Sequence, residues 1–432
     1  MWPFAHSHIC ILAHLHISTF AHSHICTLAH LHIRTFAHLH IYNPLTMNIH
    51  DFDAIRPILP EELSAAIEEL FADPQFCAIV PTLMKGIPLE ALKAKALQCK
   101  DNLEFQKVFF YPLVQQLMSQ CSTGWSFDAS AIAPTERPKA YTFISNHRDI
   151  VLDSALLDIL LIDHGFENTI EIAIGDNLLI YPWIRTLVRI NKSFIVQRSV
   201  GMREMLLSSK RMSQYMHFAI AERKEGIWIA QREGRAKDSN DRTQESILKM
   251  MAMGGEGTPL ESIKALHLVP LTISYEYDPC DFLKAKEFQQ KRDDANFKKS
   301  RQDDLINMQT GIFGRKGRVV YRLSAPVNTW IDEYAALPKN EFYKAVAQRI
   351  DLNIHRGYEI FANNYVALDM LNGTTEHSSH YTEEEKSHFV AYLSQRIAMV
   401  DLADKDEAFL RERLLTMYAN PLINHLNALA AK

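Results

Sequence analysis

Between Lys139 and Val327, short apolar runs alternate with longer stretches of helical spacing, and that alternation leaves few folds open. The runs at 140–145, 169–174, 193–197, 226–231, 267–274 and 317–324 have the length and composition of buried strands. The stretches at 150–163, 178–190, 201–222 and 243–252 have helical periodicity. Strands separated by helices in this way predict an α/β fold: a mainly parallel sheet covered by helices on both faces. In such folds reactive groups collect beyond the carboxyl ends of the strands. His147, Asp176, Arg198 and the loop from Arg232 to Lys237 each follow a predicted strand. They are therefore expected to form one site.

The flanks read differently. Residues 47–138 form a helical N-terminal region, with Pro60-Glu61-Glu62 suited to a helix start and Leu63, Ile67, Leu70 and Phe71 at helical spacing. Leu113, Leu117 and Met118 fall on one face of a later helix, and Phe105, Phe109, Phe110 and Tyr111 read as core. The α/β domain spans 139–330, and 331–432 is a helical C-terminal region in which a Thr-x-x-Glu capping box opens at Thr382. The charged segment at 280–316 precedes the last strand. It reads as a solvated helical face, with a basic surface for anionic lipid or an acidic carrier protein as the alternative.

Residues 5–44 repeat an eight-residue unit beginning Ala-His five times, nearly without change. As a strand the paired histidines would share a face; as a helix an eight-residue period drifts and gives no stable stripe. One reading is a histidine-rich metal tract; the favoured one is a translated tandem repeat ahead of a start at Met47. The stretch lacks the basic start and unbroken apolar run of a signal peptide.

Composition excludes several classes. A net charge of −5 gives no field for wrapping nucleic acid. Six cysteines without Cys-x-x-Cys spacing suit a reduced, cytoplasmic protein better than a disulfide framework or zinc site, and no metal or cofactor is expected. No apolar stretch reaches the roughly 18 residues of a membrane helix. There is no Gly-x-Ser-x-Gly elbow, no His-Glu-x-x-His helix, and no P-loop after Gly254-Gly255-Glu256-Gly257.

What remains is a base and a set of cations. In "FISNHRDIVLD" (143–153) a histidine, His147, stands at a strand end with Asp149 and Asp153 downstream. An aspartate that fixes the tautomer of an imidazole makes it a general base for a hydroxyl. In "GIWIAQREGRAKD" (226–238) a buried strand delivers Arg232, Glu233, Gly234, Arg235 and Lys237 to a fixed place. Guanidinium forks bind phosphate oxygens bidentately, and glycine admits close backbone approach. Arg198 could close the same pocket.

Taken together these residues resemble the glycerolipid acyltransferase superfamily, nearest to its glycerol-3-phosphate branch, over about residues 139–330. The first block resembles Asn146-His147 with Asp153, the second Ile195-Val196-Gln197-Arg198, the third Glu233-Gly234-Arg235, and the fourth Val269-Pro270-Leu271-Thr272-Ile273. Three departures stand out. Five residues separate His147 from Asp153 where the family has four, so either the turn holds an extra residue or Asp149 orients the ring. Gly234 and Arg235 are adjacent where the family has a residue between them. Lys192 replaces a family glycine. The resemblance implies transfer of a fatty acyl group from acyl-carrier protein or acyl-CoA to a hydroxyl of a glycerol-phosphate-type acceptor in phospholipid biosynthesis. His147 would act as base, Arg198, Arg235 and Lys237 would hold the phosphate, and Pro270 and Ile273 would shape an acyl channel. It also implies a protein peripheral on the inner face of the cell membrane. Two alternatives stay open: an acceptor without phosphate, such as an amino lipid, and an inactive lipid- or carrier-binding homologue.

Overall fold

Seven strands form one sheet in the order β1-β7-β6-β2-β5-β3-β4. The structure, a computed structural model, describes residues 47–84, 86–197 and 201–431; the histidine repeat and Arg198 lie outside them. The strands are β1 (Ser122–Asp128), β2 (Thr142–Ser145), β3 (Ile170–Gly175), β4 (Ser193–Val196), β5 (Gly226–Ala230), β6 (Leu268–Tyr275) and β7 (Gly317–Leu323). Five of them, β6-β2-β5-β3-β4, run parallel; β7 runs antiparallel to β6, and β1 is parallel to β7. The α/β prediction and its mainly parallel sheet therefore hold.

Helices fill the intervals. Before β1 lie α1 (Leu63–Ala72), α2 (Pro74–Leu83), α3 (Leu89–Leu97), α4 (Asn102–Phe105) and α5 (Tyr111–Cys121). Within the sheet domain come α6 (Leu152–Asp163), α7 (Pro182–Ile190), α8 (Met202–Phe218), α9 (Glu245–Met251) and α10 (Pro259–Ala265). The charged segment forms α11 (Asp281–Asp293) and α12 (Arg301–Phe313), and α13 (Lys339–Arg356), α14 (Ala362–Asn372), α15 (Glu383–Ala398) and α16 (Glu407–Ala430) complete the C-terminal region. The chain from Phe52 onward is one compact unit; of the unit ending at Asp51, residues 47–51 are described.

The central strands read as continuous apolar text because both faces are covered. All four residues of β2 and all eight of β6 are buried. Pro270 fits inside β6 because its carbonyl faces the β7 side, where it accepts from the Ser324 amide at 2.9 Å. The N–H it lacks is thus not one the β2 ladder requires. β1 is a correction to the helical reading of 47–138. Its seven residues, Ser-Thr-Gly-Trp-Ser-Phe-Asp, follow α5 directly and become a strand through pairing with β7.

The resemblance expects glycine at 192, and Lys192 takes the left-handed backbone a glycine would, at φ +60°. For a non-glycine residue that costs roughly 1–2 kcal/mol. The buried ammonium offsets it by bonding Glu225 at 2.6 Å and the Thr169 carbonyl at 3.2 Å.

A second buried carboxyl gives a pH prediction. Burial raises Asp158 to about 7, opposed by the Ile170 amide bonded to it at 2.9 Å. The unfolded carboxyl titrates near 3.9. The folded state therefore holds the extra proton between about pH 4 and 7, and this contribution to stability is lost as pH rises through that window, by about 4 kcal/mol. Thermal melts at pH 5 and pH 8 should show Asp158→Asn losing less stability over the interval than wild type.

Candidate active site

β2 lies between β5 and β6, so the residues that follow it emerge near the middle of the sheet's carboxyl rim. Asn146 extends the strand pairing with its side chain. Its Nδ2 donates to the Ile273 carbonyl, and its Oδ1 accepts from the Ile273 amide, both at 2.8 Å. That pair fixes where His147 leaves the sheet. Ile273 thus contributes to the site by anchoring Asn146.

His147 Nδ1 lies 2.8 Å from Asp153 Oδ2, and the ring is 13% exposed whereas Asp153 is fully buried. A carboxylate only accepts, so Nδ1 carries the proton and Nε2 is left as the basic nitrogen. Asp153 is itself held by the Arg148 amide at 2.6 Å and, on its other oxygen, by the Tyr275 hydroxyl at 2.9 Å. The Tyr321 hydroxyl donates to the Asp153 backbone carbonyl at 3.0 Å. Trp228 sets its ring edge-on to the imidazole, with centroids 5.4 Å apart, and donates from Nε1 to Ser145 Oγ at 2.9 Å.

The extra residue between His147 and Asp153 is taken up in the turn, and Asp149 does not orient the ring. Its Oδ1 accepts from the amides of Val151 and Leu152 at 2.9 and 2.8 Å, satisfying free N–H groups at the start of α6. Asp149 is buried, and burial raises its pKa, opposed by Lys316. Gly311 of α12 lies so close that an added Cβ would stand 2.5 Å from Asp149 Oδ2. Asp149 therefore belongs to the support of the site.

The cationic loop follows β5, next to β2. Gln231 continues the pairing through its amide to the Ser145 carbonyl, at 2.8 Å. Gly234 turns the loop at φ +65°, a conformation glycine adopts without strain. Arg235 donates to Asn307 Oδ1 of α12 at 3.0 Å; its Nη1 and the Nε of Arg232 are buried without a hydrogen-bond partner. Lys237 is ion-paired with Glu287, which also accepts Lys291 at 2.9 Å. Burial lowers the Lys237 pKa, with Glu287 opposing. The far end of the loop is clamped to the histidine turn by a buried ion pair, Arg148 to Asp241, at 2.6 Å. Tyr358 adds a 2.5 Å hydrogen bond to the same carboxylate. Removing one partner of such a pair leaves a buried charge, so the two loops are held in register.

A single cleft of about 860 Å³ runs past both loops. Its polar lining includes His147, Arg232, Glu233, Gly234, Arg235 and Lys237. Other elements supply its apolar arm: Leu113 and Leu117 of α5, Ile172 and Ile174 of β3, and Trp183, Ile184 and Leu187 of α7. Trp183, Ile184, Leu187 and Val188 recur at helical spacing opposite Arg185 and Arg189, a signal the sequence carried and the sequence reading did not use. Asn307, Met308 and Ile312 of the charged segment also face the cleft, so α12 is a wall of the site and more than a solvated face. Pro270, expected to shape an acyl channel, is buried in the sheet and is not among the lining residues.

No family model matches the chain, and no curated protein does. Among solved structures it is similar to the 1-acyl-sn-glycerophosphate (LPA) acyltransferase PlsC from Thermotoga maritima. The identity is 13%, the match covers 67% of this chain and 92% of that one, and the TM-score is 0.33. A likeness that distant decides neither fold nor activity; the fold is established by the sheet and the chemistry must come from the cleft.

Tyr275 yields a test of the local geometry. Tyr275→Phe removes one donor from Asp153 and concentrates its charge on the imidazole. The acid limb of the pH–kcat/KM profile should move upward while KM for the acceptor stays within about twofold. A purely structural role would lower the melting temperature and leave that limb in place.

Proposed function

We propose that this chain is an acyltransferase moving a fatty acyl group from a thioester, acyl-carrier protein or acyl-CoA, to a hydroxyl of a phosphate-bearing glycerol-type acceptor. One observation carries the reading: a single cleft joins an oriented imidazole, two guanidinium groups with unpartnered buried N–H atoms, and an apolar arm. Arg232 and Arg235 both line the cleft, and guanidinium groups bind phosphate oxygens through charge-assisted hydrogen bonds. Phosphate suits guanidinium better than carboxylate does only in charge and number of oxygens, and both agree with a glycerol phosphate.

In the reaction, His147 Nε2 takes the proton of the acceptor hydroxyl as its oxygen attacks the thioester carbonyl carbon. The carbon–oxygen bond forms, the carbon–sulfur bond breaks, and the thiolate recovers the proton from the imidazolium. The products are an ester and a free thiol. Asp153 stabilises the imidazolium that forms in between. Arg232 and Arg235 hold the phosphate and so select the hydroxyl that reaches the imidazole, while the apolar arm takes the acyl chain. Holding both reactants at attacking distance can lower the barrier by about 7 kcal/mol or more. An ester with a long acyl chain partitions into membrane, which favours action at a membrane surface. No helix among the described residues is long and apolar enough to cross one.

The test offers labelled acyl-CoA and acyl-carrier protein with glycerol 3-phosphate, dihydroxyacetone phosphate and lysophosphatidate. A labelled ester with at least one of the three is expected. Label that moves only to an amine or to an acceptor without phosphate would replace the acceptor class, and no transfer at all would leave a binding protein.

A further inference from the structure

The edge of the sheet at β4 brings exposed apolar side chains together with exposed cations. From Tyr181 to Arg211 there are seven Lys and Arg, one of them Lys192 buried against Glu225, and one acidic residue, Glu204, in a chain of net charge −5. In a parallel sheet the helix after each strand starts at the carboxyl rim. α7 follows β3 and α8 follows β4, so both helix starts stand on the rim that holds His147. There the large apolar side chains face out: Tyr181 is 38% exposed, Met205 50%, and Leu206 and Leu207 63% each. Three successive residues span most of the helix circumference, so the first turns of α8 project from the body. Ser208 holds the next turn to the end of β4 through Gln197 Oε1 at 3.1 Å. Lys210 and Arg211, one turn after Leu206 and Leu207, are exposed, as is Arg185 of α7, and the three form no ion pair among the described residues.

In the segment at 280–316 four of the nine Lys and Arg are paired within the protein: Lys284 with Asp278, Lys291 with Glu287 at 2.9 Å, Arg292 with Asp406 at 2.8 Å and Lys299 with Asp304 at 2.7 Å.

We infer that the start of α8, with Tyr181 on the same rim, is the surface on which this protein docks to an anionic lipid bilayer. Leucines and a tyrosine enter the boundary between headgroups and acyl chains, and the flanking cations meet lipid phosphates. His147 follows β2 on the same rim, so a docked molecule holds its imidazole at the side of the protein that meets the lipid. The inference rests on the acyl-transfer reading only for the use made of docking; the docking is measurable without any substrate.

Flotation of the full chain with vesicles of phosphatidylcholine, with and without phosphatidylglycerol, tests it. Wild type should float with the anionic vesicles, and about 0.5 M salt should weaken this. Leu206→Ser with Leu207→Ser should reduce flotation by about tenfold or more. Lys210→Gln with Arg211→Gln should reduce it several-fold on anionic vesicles. Both pairs should keep the wild-type melting temperature and wild-type transfer on water-soluble short-chain substrates. Flotation of the leucine pair equal to wild type would overturn the inference, as would a wild type that ignores vesicles and instead forms dimers that the leucine pair dissolves. If vesicle binding behaves as stated while no transfer is found, the docking surface stands and the acyl-transfer reading falls.

Discussion

His147→Ala is expected to lower kcat for acyl transfer by about a thousandfold, with KM for donor and acceptor changed by less than about threefold. The ring sits at the cleft wall and is partly exposed, so its removal opens no large cavity. Asp153 keeps two of its donors, the Arg148 amide and the Tyr275 hydroxyl, so the carboxylate is not stranded. The loss should therefore fall on turnover and leave folding intact, which a melting curve of the same preparation checks. Asp153→Asn should fall between wild type and His147→Ala, because an amide can hold the wrong tautomer in place. A variant without the imidazole that transfers at the wild-type rate would show that the cleft works by other means, or only binds.

Arg235→Ala is the second large effect, and it should appear in a different constant. Each charge-assisted hydrogen bond to a phosphate contributes about 1.5–3 kcal/mol, so KM for a phosphate acceptor should rise by about ten- to a hundredfold. The KM for the acyl thioester should stay within about twofold, since an acyl chain gains nothing from a guanidinium. Arg235→Lys should recover only part of the loss, because an ammonium cannot reproduce the fork. Lys237→Ala should matter much less, its ammonium being already paired with Glu287. An acceptor without phosphate predicts the opposite pattern, with Arg235→Ala leaving acceptor KM unchanged.

The parallel strands were legible because burial on both faces leaves a run of apolar residues whatever the neighbours are. β1 was not, since Ser122–Asp128 is half polar and becomes a strand only through β7, almost two hundred residues later. Strand order was not legible at all, being set by which helices cross which strands. Within the site, the partner of His147 stands six residues away and was visible as one of two aspartates. Which of them turned inward depended on the turn geometry and on the amides of Val151 and Leu152, which claim Asp149. Tyr275, 122 residues from Asp153, gave no local signal. The same holds for Asp241, which ties the histidine turn to the cationic loop through Arg148. Pro270 was singled out by resemblance and belongs to the sheet; Asn307 was passed over inside a run of charges and bonds Arg235.

The central claim is that one bound acceptor bridges the imidazole and the guanidinium groups. A crystal structure with glycerol 3-phosphate measures this directly. Its phosphate is expected on Arg232 and Arg235, with a hydroxyl within about 3 Å of His147 Nε2, directly or through one water. A phosphate bound away from those arginines, or a hydroxyl beyond that reach, would contradict it.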